Sequence, residues 1–168
     1  LKVFEYHGVG VYMPDNQACC GIPALTSGDL KSFGKLARYN LDVFSKSKFD
    51  YIVTPCSSCT ATIKEHWRNA EDLTPAQRDF ARSLGEKAMD INAFVVDVLK
   101  VTPPEGAGQG KTKVAYHESC HLMKSLRVSK QPKDLINMNR DYQLVPMKEA
   151  DHCCGCGGTF TLTQPELS

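Results

Sequence analysis

The sequence has little charge of either sign to spare and no sustained apolar run. Its 20 Lys and Arg stand against 19 Asp and Glu, for a net charge of +1. The basic residues are scattered rather than gathered into a stripe, so the electrostatic footprint of a nucleic-acid-binding protein is missing. The longest apolar stretch, residues 91–101, is interrupted by Asn92, Asp97 and Lys100, which excludes a membrane span; nothing has the form of a secretory leader. These absences describe a cytoplasmic protein. There is no P-loop, no Ser-His-Asp set and no flavin fingerprint. The glycines between residues 106 and 110 precede a strand instead of following one, the wrong order for dinucleotide binding. Trp67, the single tryptophan, and the phenylalanines at helical spacing read as core.

What the chain does have is cysteine, eight in 168 residues. Cys19-Cys20-Gly21 and Cys153-Cys154-Gly155 are one phrase written twice, offset by 134 positions. Between them lie Cys56-Ser57-Ser58-Cys59 and the single Cys120. One cysteine, a vicinal pair and a Cys-x-x-Cys together make a five-thiolate set for one centre, and each copy shows part of it. The same offset carries the remaining members ahead of Leu1 and beyond Ser168. The expectation is therefore a piece of a longer protein: residues 1–101 as part of a first repeat, 102–110 as a linker, and 111–168 as the first part of a second repeat.

A secreted disulfide scaffold is the bland alternative, but such scaffolds are shorter and vicinal cysteines make poor disulfides. Thiolates gathered at one place select a soft metal, either zinc or iron with sulfide. Structural zinc prefers two Cys-x-x-Cys knuckles or Cys and His pairs. A vicinal pair crowds a tetrahedral site and suits neighbouring irons better. A zinc-bearing or thiol-rich interaction module stays as the reading of another class.

The pattern along the chain alternates between strand and helix signals, which is the signature of an α/β fold with parallel strands flanked by helices. Residues 9–13 read as a short strand leading to Cys19-Cys20. Leu30, Phe33, Leu36, Ala37, Leu41 and Phe44 mark a helix, with Ser27 or Asp29 as its cap. Residues 51–54 read as a buried strand stopped by Pro55, with Cys56 opening a helix through Trp67. Thr74-Pro75-Ala76-Gln77 is a capping box with proline at the first helical position, predicting a helix to about Met89. Another helix is expected through Phe94, Val95, Val98 and Leu99. Residues 113–116 read as a strand delivering Cys120, followed by helices through Leu126 and over residues 133–138, and residues 144–147 return the chain to Cys153. Cys20, Cys56, Cys120 and Cys154 then all fall after a strand, at the carboxyl edge where open parallel sheets collect ligands.

Three stretches carry a resemblance. Gln17-Ala18-Cys19-Cys20-Gly21-Ile22-Pro23-Ala24, Tyr116-His117-Glu118-Ser119-Cys120-His121-Leu122 and Asp151-His152-Cys153-Cys154-Gly155-Cys156-Gly157-Gly158-Thr159-Phe160 resemble the cysteine-rich CCG domain family, its lactate-utilisation branch most of all. The iron–sulfur subunit of glycolate oxidase and the cysteine-rich subunits of anaerobic glycerol-3-phosphate dehydrogenase and of heterodisulfide reductase belong to the same family. The resemblance implies an iron–sulfur cluster, 4Fe-4S or non-cubane, as cofactor. Carried over, Cys19, Cys20, Cys56 and Cys59 would be ligands of a first site, and Cys120, Cys153 and Cys154 of a second. It also implies companion iron–sulfur or flavin subunits and electron transfer during oxidation of a small 2-hydroxy acid, lactate to pyruvate. Disulfide reduction at the cluster is the alternative activity inside the family. Cys156 stands where relatives carry a bulkier apolar residue.

Around the second set, His117, His121 and His152 are candidates to hydrogen-bond sulfur or move a proton, against the reading of satisfied, partly buried imidazoles. Glu118 and Asp151 are candidates to hold those imidazoles, with solvation as the alternative. Gly155 and Gly157 allow close backbone approach to a cofactor, or simply a tight turn. Cys156, two residues beyond Cys154 and outside the repeated pattern, is a candidate extra ligand or resolving thiol, against the favoured reading of a small buried residue.

Overall fold

The structure, a computed structural model, describes residues 1–158 and 160–167. Helix α1 (Lys2–Tyr6) is followed by a segment without regular structure and by the short α2 (Ile22–Thr26), which starts directly after Gly21. Helix α3 (Leu30–Ser45) begins where its cap dictates: the Asp29 carboxylate accepts the Ser32 N–H at 2.9 Å. Such a cap satisfies one of the amide donors that a helix start leaves unpaired and is worth about 1 kcal/mol. Its 3.6-residue stripe buries Phe33, Ala37 and Leu41.

Strand β1 (Ile52–Thr54) leads through Cys56 into α4 (Ser57–Ala61), which continues as a π-helical turn over Thr62–His66 and a 3-10 turn over Trp67–Asn69. Helix α5 (Pro75–Lys87) carries the expected capping box, Thr74 and Gln77 exchanging hydrogen bonds in both directions. It crosses the π-helical turn so closely that a Cβ on Gly85 would lie 2.7 Å from the Lys64 carbonyl oxygen. The chain then forms β2 (Ala88–Asp90), parallel to β1 with Ile52 opposite Ala88 and Thr54 opposite Asp90. This strand was not expected. Ala-Met-Asp has weak strand propensity and follows a helix without a break, so only its partner β1 selects the extended form.

The three-residue α6 (Ile91–Ala93) and a π-helical turn over Phe94–Val98 complete this half, in place of the single helix expected there. Strand β3 (Thr112–Val114), a π-helical turn over His121–Ser125, α7 (Lys130–Asn137), β4 (Tyr142–Leu144) and α8 (Phe160–Thr163) follow. Strands β3 and β4 form a second two-stranded parallel sheet, Thr112 opposite Tyr142 and Val114 opposite Leu144.

The fold is thus α/β with parallel strands flanked by helices. Residues 9–13 depart from expectation, because they have no strand structure. The main core gathers Phe33, Leu41, Ile52, Ile63, Trp67 and Leu84, and Cys20 is one of its members. A smaller cluster of Ala93, Leu122 and Val128 lies between the two sheets' helices. Gln131 reaches Asp97 at 2.8 Å across the same junction. No helix among the described residues is long and apolar enough to cross a membrane.

Candidate functional site

All eight cysteines are free thiols. The first vicinal pair sits on a loop whose backbone is held by the core. Gly21 has φ +93°, and a Cβ there would stand 2.8 Å from the Phe33 ring, so both conformation and space demand glycine. The loop is fixed at its carbonyls and amides. Asn40 on α3 donates to the Cys19 carbonyl at 3.0 Å and accepts the Ala18 N–H at 2.9 Å. Trp67 Nε1, fully buried, donates to the Cys20 carbonyl at 2.8 Å. The result splits the pair: Cys19 is exposed and takes a hydrogen bond from the Gly21 N–H at 3.5 Å, whereas Cys20 turns into the core.

Strand β1 supplies the other arm. The Thr54 hydroxyl accepts the Cys56 N–H at 3.2 Å, donates to the Cys56 carbonyl at 2.8 Å and meets the Thr60 hydroxyl at 2.9 Å, which locks the turn from strand to helix. Cys59, in the first turn of α4, has the Cys20 and Cys56 thiols as neighbours. Burial, and then those two thiols, push the Cys59 thiol well above the ordinary range, so it keeps its proton. Three thiols from two separate segments therefore meet, with Cys59 in the middle. Among the described residues, no three His, Cys, Asp or Glu side chains are disposed to hold a single metal ion.

The second set is arranged differently. Cys120 precedes the π-helical turn over His121–Ser125 and is half-buried, while Cys153 and Cys154 are exposed. Their chain segments are tied together through the backbone: the Glu118 N–H donates to the Ala150 carbonyl at 2.7 Å, and His117 Nε2 meets the His152 carbonyl at 2.9 Å.

His152 itself lies 3.4 Å from Glu149. Glu118 does not hold an imidazole, contrary to one expectation; it is buried and paired with Lys133, whose ammonium lowers its pKa. Asp151 is exposed. His121 Nδ1 reaches Ser58 Oγ, inside the Cys56-x-x-Cys59 loop, at 2.5 Å. Gly155, with φ +77°, repeats the left-handed turn of Gly21. A Cβ on Gly157 would press on the Phe160 Cβ at 3.0 Å, so its place is a tight turn into α8.

Cys156 is exposed, which corrects the reading of it as buried. Hydrogen bonds from the Thr161 side chain and the Gly158 backbone lower its pKa. Thr159, within the third quoted motif, and Ser168 lie outside the described residues.

Of the expected strand-to-cysteine placements, Cys56 follows its strand by two residues, while Cys20 has no strand ahead of it and owes its position to Asn40 and Trp67. Asn40, Thr54 and Ser58 escaped the sequence reading. Asn40 did leave a signal, a polar residue on the apolar stripe of α3 between Ala37 and Leu41.

The model of the CCG cysteine-rich domain matches residues 1–64 and again 114–168. The chain is 34% identical over 168 residues to the lactate utilization protein A of Bacillus pumilus (strain SAFR-032), and 36% identical to that of Shouchella clausii (strain KSM-K16). In both cases the alignment covers the whole of this chain and 68% of the relative. The protein of the same name from Exiguobacterium sp. (strain ATCC BAA-1283 / AT1b) is 32% identical over 168 residues, with 67% of it covered. Two matched stretches, each containing one Cys-Cys-Gly loop, and relatives alignable from end to end of the chain lead to one conclusion: the chain belongs to the CCG cysteine-rich domain family.

Proposed function

We propose that this chain is the iron–sulfur electron-transfer component of an oxidoreductase that acts on a small 2-hydroxy acid, lactate being oxidised to pyruvate with companion subunits. The observation that carries the reading is the approach of Cys59 to Cys20 and Cys56 after the end of β1, with Cys19 the chain neighbour of Cys20. Chemically this donor set fits iron and sulfide: the ligands are all sulfur, they come from a vicinal pair and a Cys-x-x-Cys, and the Gly21 N–H lies close to the Cys19 sulfur. The names of the relatives supply the substrate class. Cys19, Cys20, Cys56 and Cys59 are the proposed ligands of a first site and Cys120, Cys153 and Cys154 of a second, with residues 1–101 and 111–168 as parts of two repeats.

When bound, an iron–sulfur cluster supplies a one-electron carrier. The chain's own residues do the rest. Trp67 and Asn40 hold the Cys19-Cys20 backbone so that the sulfurs are placed before loading, and Thr54 does the same for Cys56. Cys20 and the core behind it exclude water from one side of the site. Cys59 Sγ carries a proton that must leave before the sulfur becomes a ligand, since the thiolate is the binding form. Loading therefore releases protons. The bound hydroxy acid is handled by a companion subunit.

The test is iron and acid-labile sulfide analysis, with visible absorption, of the protein purified anaerobically together with its companions, alongside Cys59→Ser. The expected result is a brown protein with labile sulfide that loses both in Cys59→Ser. Stoichiometric zinc without sulfide, or undiminished colour in Cys59→Ser, overturns the reading.

A further inference from the structure

Ser58 lies between Cys56 and Cys59, inside the first stretch that the family model matches, and His121 directly follows Cys120, inside the second. Ser58 Oγ and His121 Nδ1 lie 2.5 Å apart, so a side-chain hydrogen bond joins the two stretches at their cysteine loops. Both ends of it are anchored. The Ser58 carbonyl accepts the hydroxyl of the fully buried Thr62 at 2.7 Å. On the other side, His121 is next to Leu122, which is buried with Ala93 and Val128.

Neither cysteine loop needs this bond for its own shape. Thr54 already fixes the Cys56 backbone, and the Glu118 N–H already ties the segment before Cys120 to the Ala150 carbonyl. What the bond adds is a fixed relation between the loops. Cys56 stands at the start of α4, Cys120 at the start of the π-helical turn over His121–Ser125, and the two starts are held side by side.

We propose that the Ser58–His121 hydrogen bond couples the two cysteine sets, so that when Cys120, Cys153 and Cys154 hold their cofactor, the Cys56–Cys59 loop is restrained and the first set keeps its own cofactor longer. The proposal rests on the iron–sulfur reading. Ligation immobilises Cys120 and with it the neighbouring His121. The bond passes that restraint to Ser58, in the middle of the other loop, and a loop already ordered loses less freedom on holding its cofactor. Ser58 and His121 are thus positioning residues. A single hydrogen bond limits the size of the effect to about fivefold.

The test uses the protein purified anaerobically with its companions and assayed for iron and acid-labile sulfide. An iron chelator is added together with iodoacetamide, and mass spectrometry follows the labelling of Cys56, which is exposed and so reports the loss of cofactor from the first set. Cys154→Ser disables the second set. It should speed Cys56 labelling about fivefold, Ser58→Ala should do the same, and the double variant should be no faster than either. Ser58→Thr, which keeps the hydroxyl, should keep the slow rate. A bond that only stabilised the fold would let Ser58→Ala speed labelling by the same factor in the parent and in Cys154→Ser; that result overturns the proposal, as does an unchanged rate in Cys154→Ser. A parent without labile sulfide overturns the iron–sulfur reading and the coupling together, whereas a brown parent with uncoupled rates overturns the coupling alone.

Discussion

Ser58 Oγ and His121 Nδ1 lie 2.5 Å apart, so that the middle of the Cys56-x-x-Cys59 loop is joined to the residue after Cys120, 63 positions further along the chain. Helix α4 and the π-helical turn over His121–Ser125 pack against each other around this bond. The two cysteine sets are therefore mechanically continuous. Removing the bond with Ser58→Ala should lower the unfolding free energy by about 1 kcal/mol, the ordinary worth of such a bond. Denaturant titration measures that loss. His121→Ala in the same background should add less than it does alone, because the two changes delete one interaction; full additivity would show that the pair is not coupled.

Asn40 is fully buried and serves two backbone groups of the cysteine loop. Asn40→Leu keeps the branched shape but removes both bonds to the cysteine loop, at about 1 kcal/mol for each. The denaturation midpoint should fall with an unchanged slope. A midpoint within error of the parent would mean that solvent satisfies those groups.

Thiol reactivity should follow environment. Cys156 is exposed and its pKa lies below the usual thiol value, whereas burial and the neighbouring Cys20 and Cys56 keep Cys59 protonated. Since the thiolate is the reactive form, iodoacetamide near neutral pH should label Cys156 early and Cys59 late in the cofactor-free protein. Mass spectrometry of timed samples reads the order, and early labelling of Cys59 would contradict the meeting of the three thiols.

The buried Glu118 is ion-paired with Lys133, which lowers its pKa. A carboxyl whose folded pKa is depressed contributes stability that is present above the unfolded carboxylate value and lost as pH falls through the folded one. Lys133→Met should therefore cost about 1–3 kcal/mol at neutral pH and less in acid, where Glu118 is protonated in both proteins. Unfolding midpoints from neutral pH down into the acid range test the sign. A loss that grows on acidification would defeat the assignment.

Helices α3 and α5 were legible because their information is local. Asp29 with Ser32, and Thr74 with Gln77, lie within one helical turn, and the apolar stripe through Phe33, Ala37 and Leu41 needs no knowledge of what covers it. The cysteine phrases were legible too, since residue type and spacing are themselves the signal of soft-metal chemistry.

Strands are another matter, because their hydrogen bonds go to a distant segment. Ala88–Asp90 reads as helix and becomes β2 only because β1 lies beside it; residues 9–13 read as strand and are none among the described residues, for want of a partner. The same physics separates the thiols. Residue type and spacing were enough to put Cys19, Cys20, Cys56 and Cys59 into one pattern. It took the packed chain to draw Cys20 into the core beneath Trp67, to desolvate Cys59 between two other thiols and to leave Cys156 in solvent. Burial and non-local hydrogen bonds arise only when distant segments meet, and no spacing along the chain encodes them.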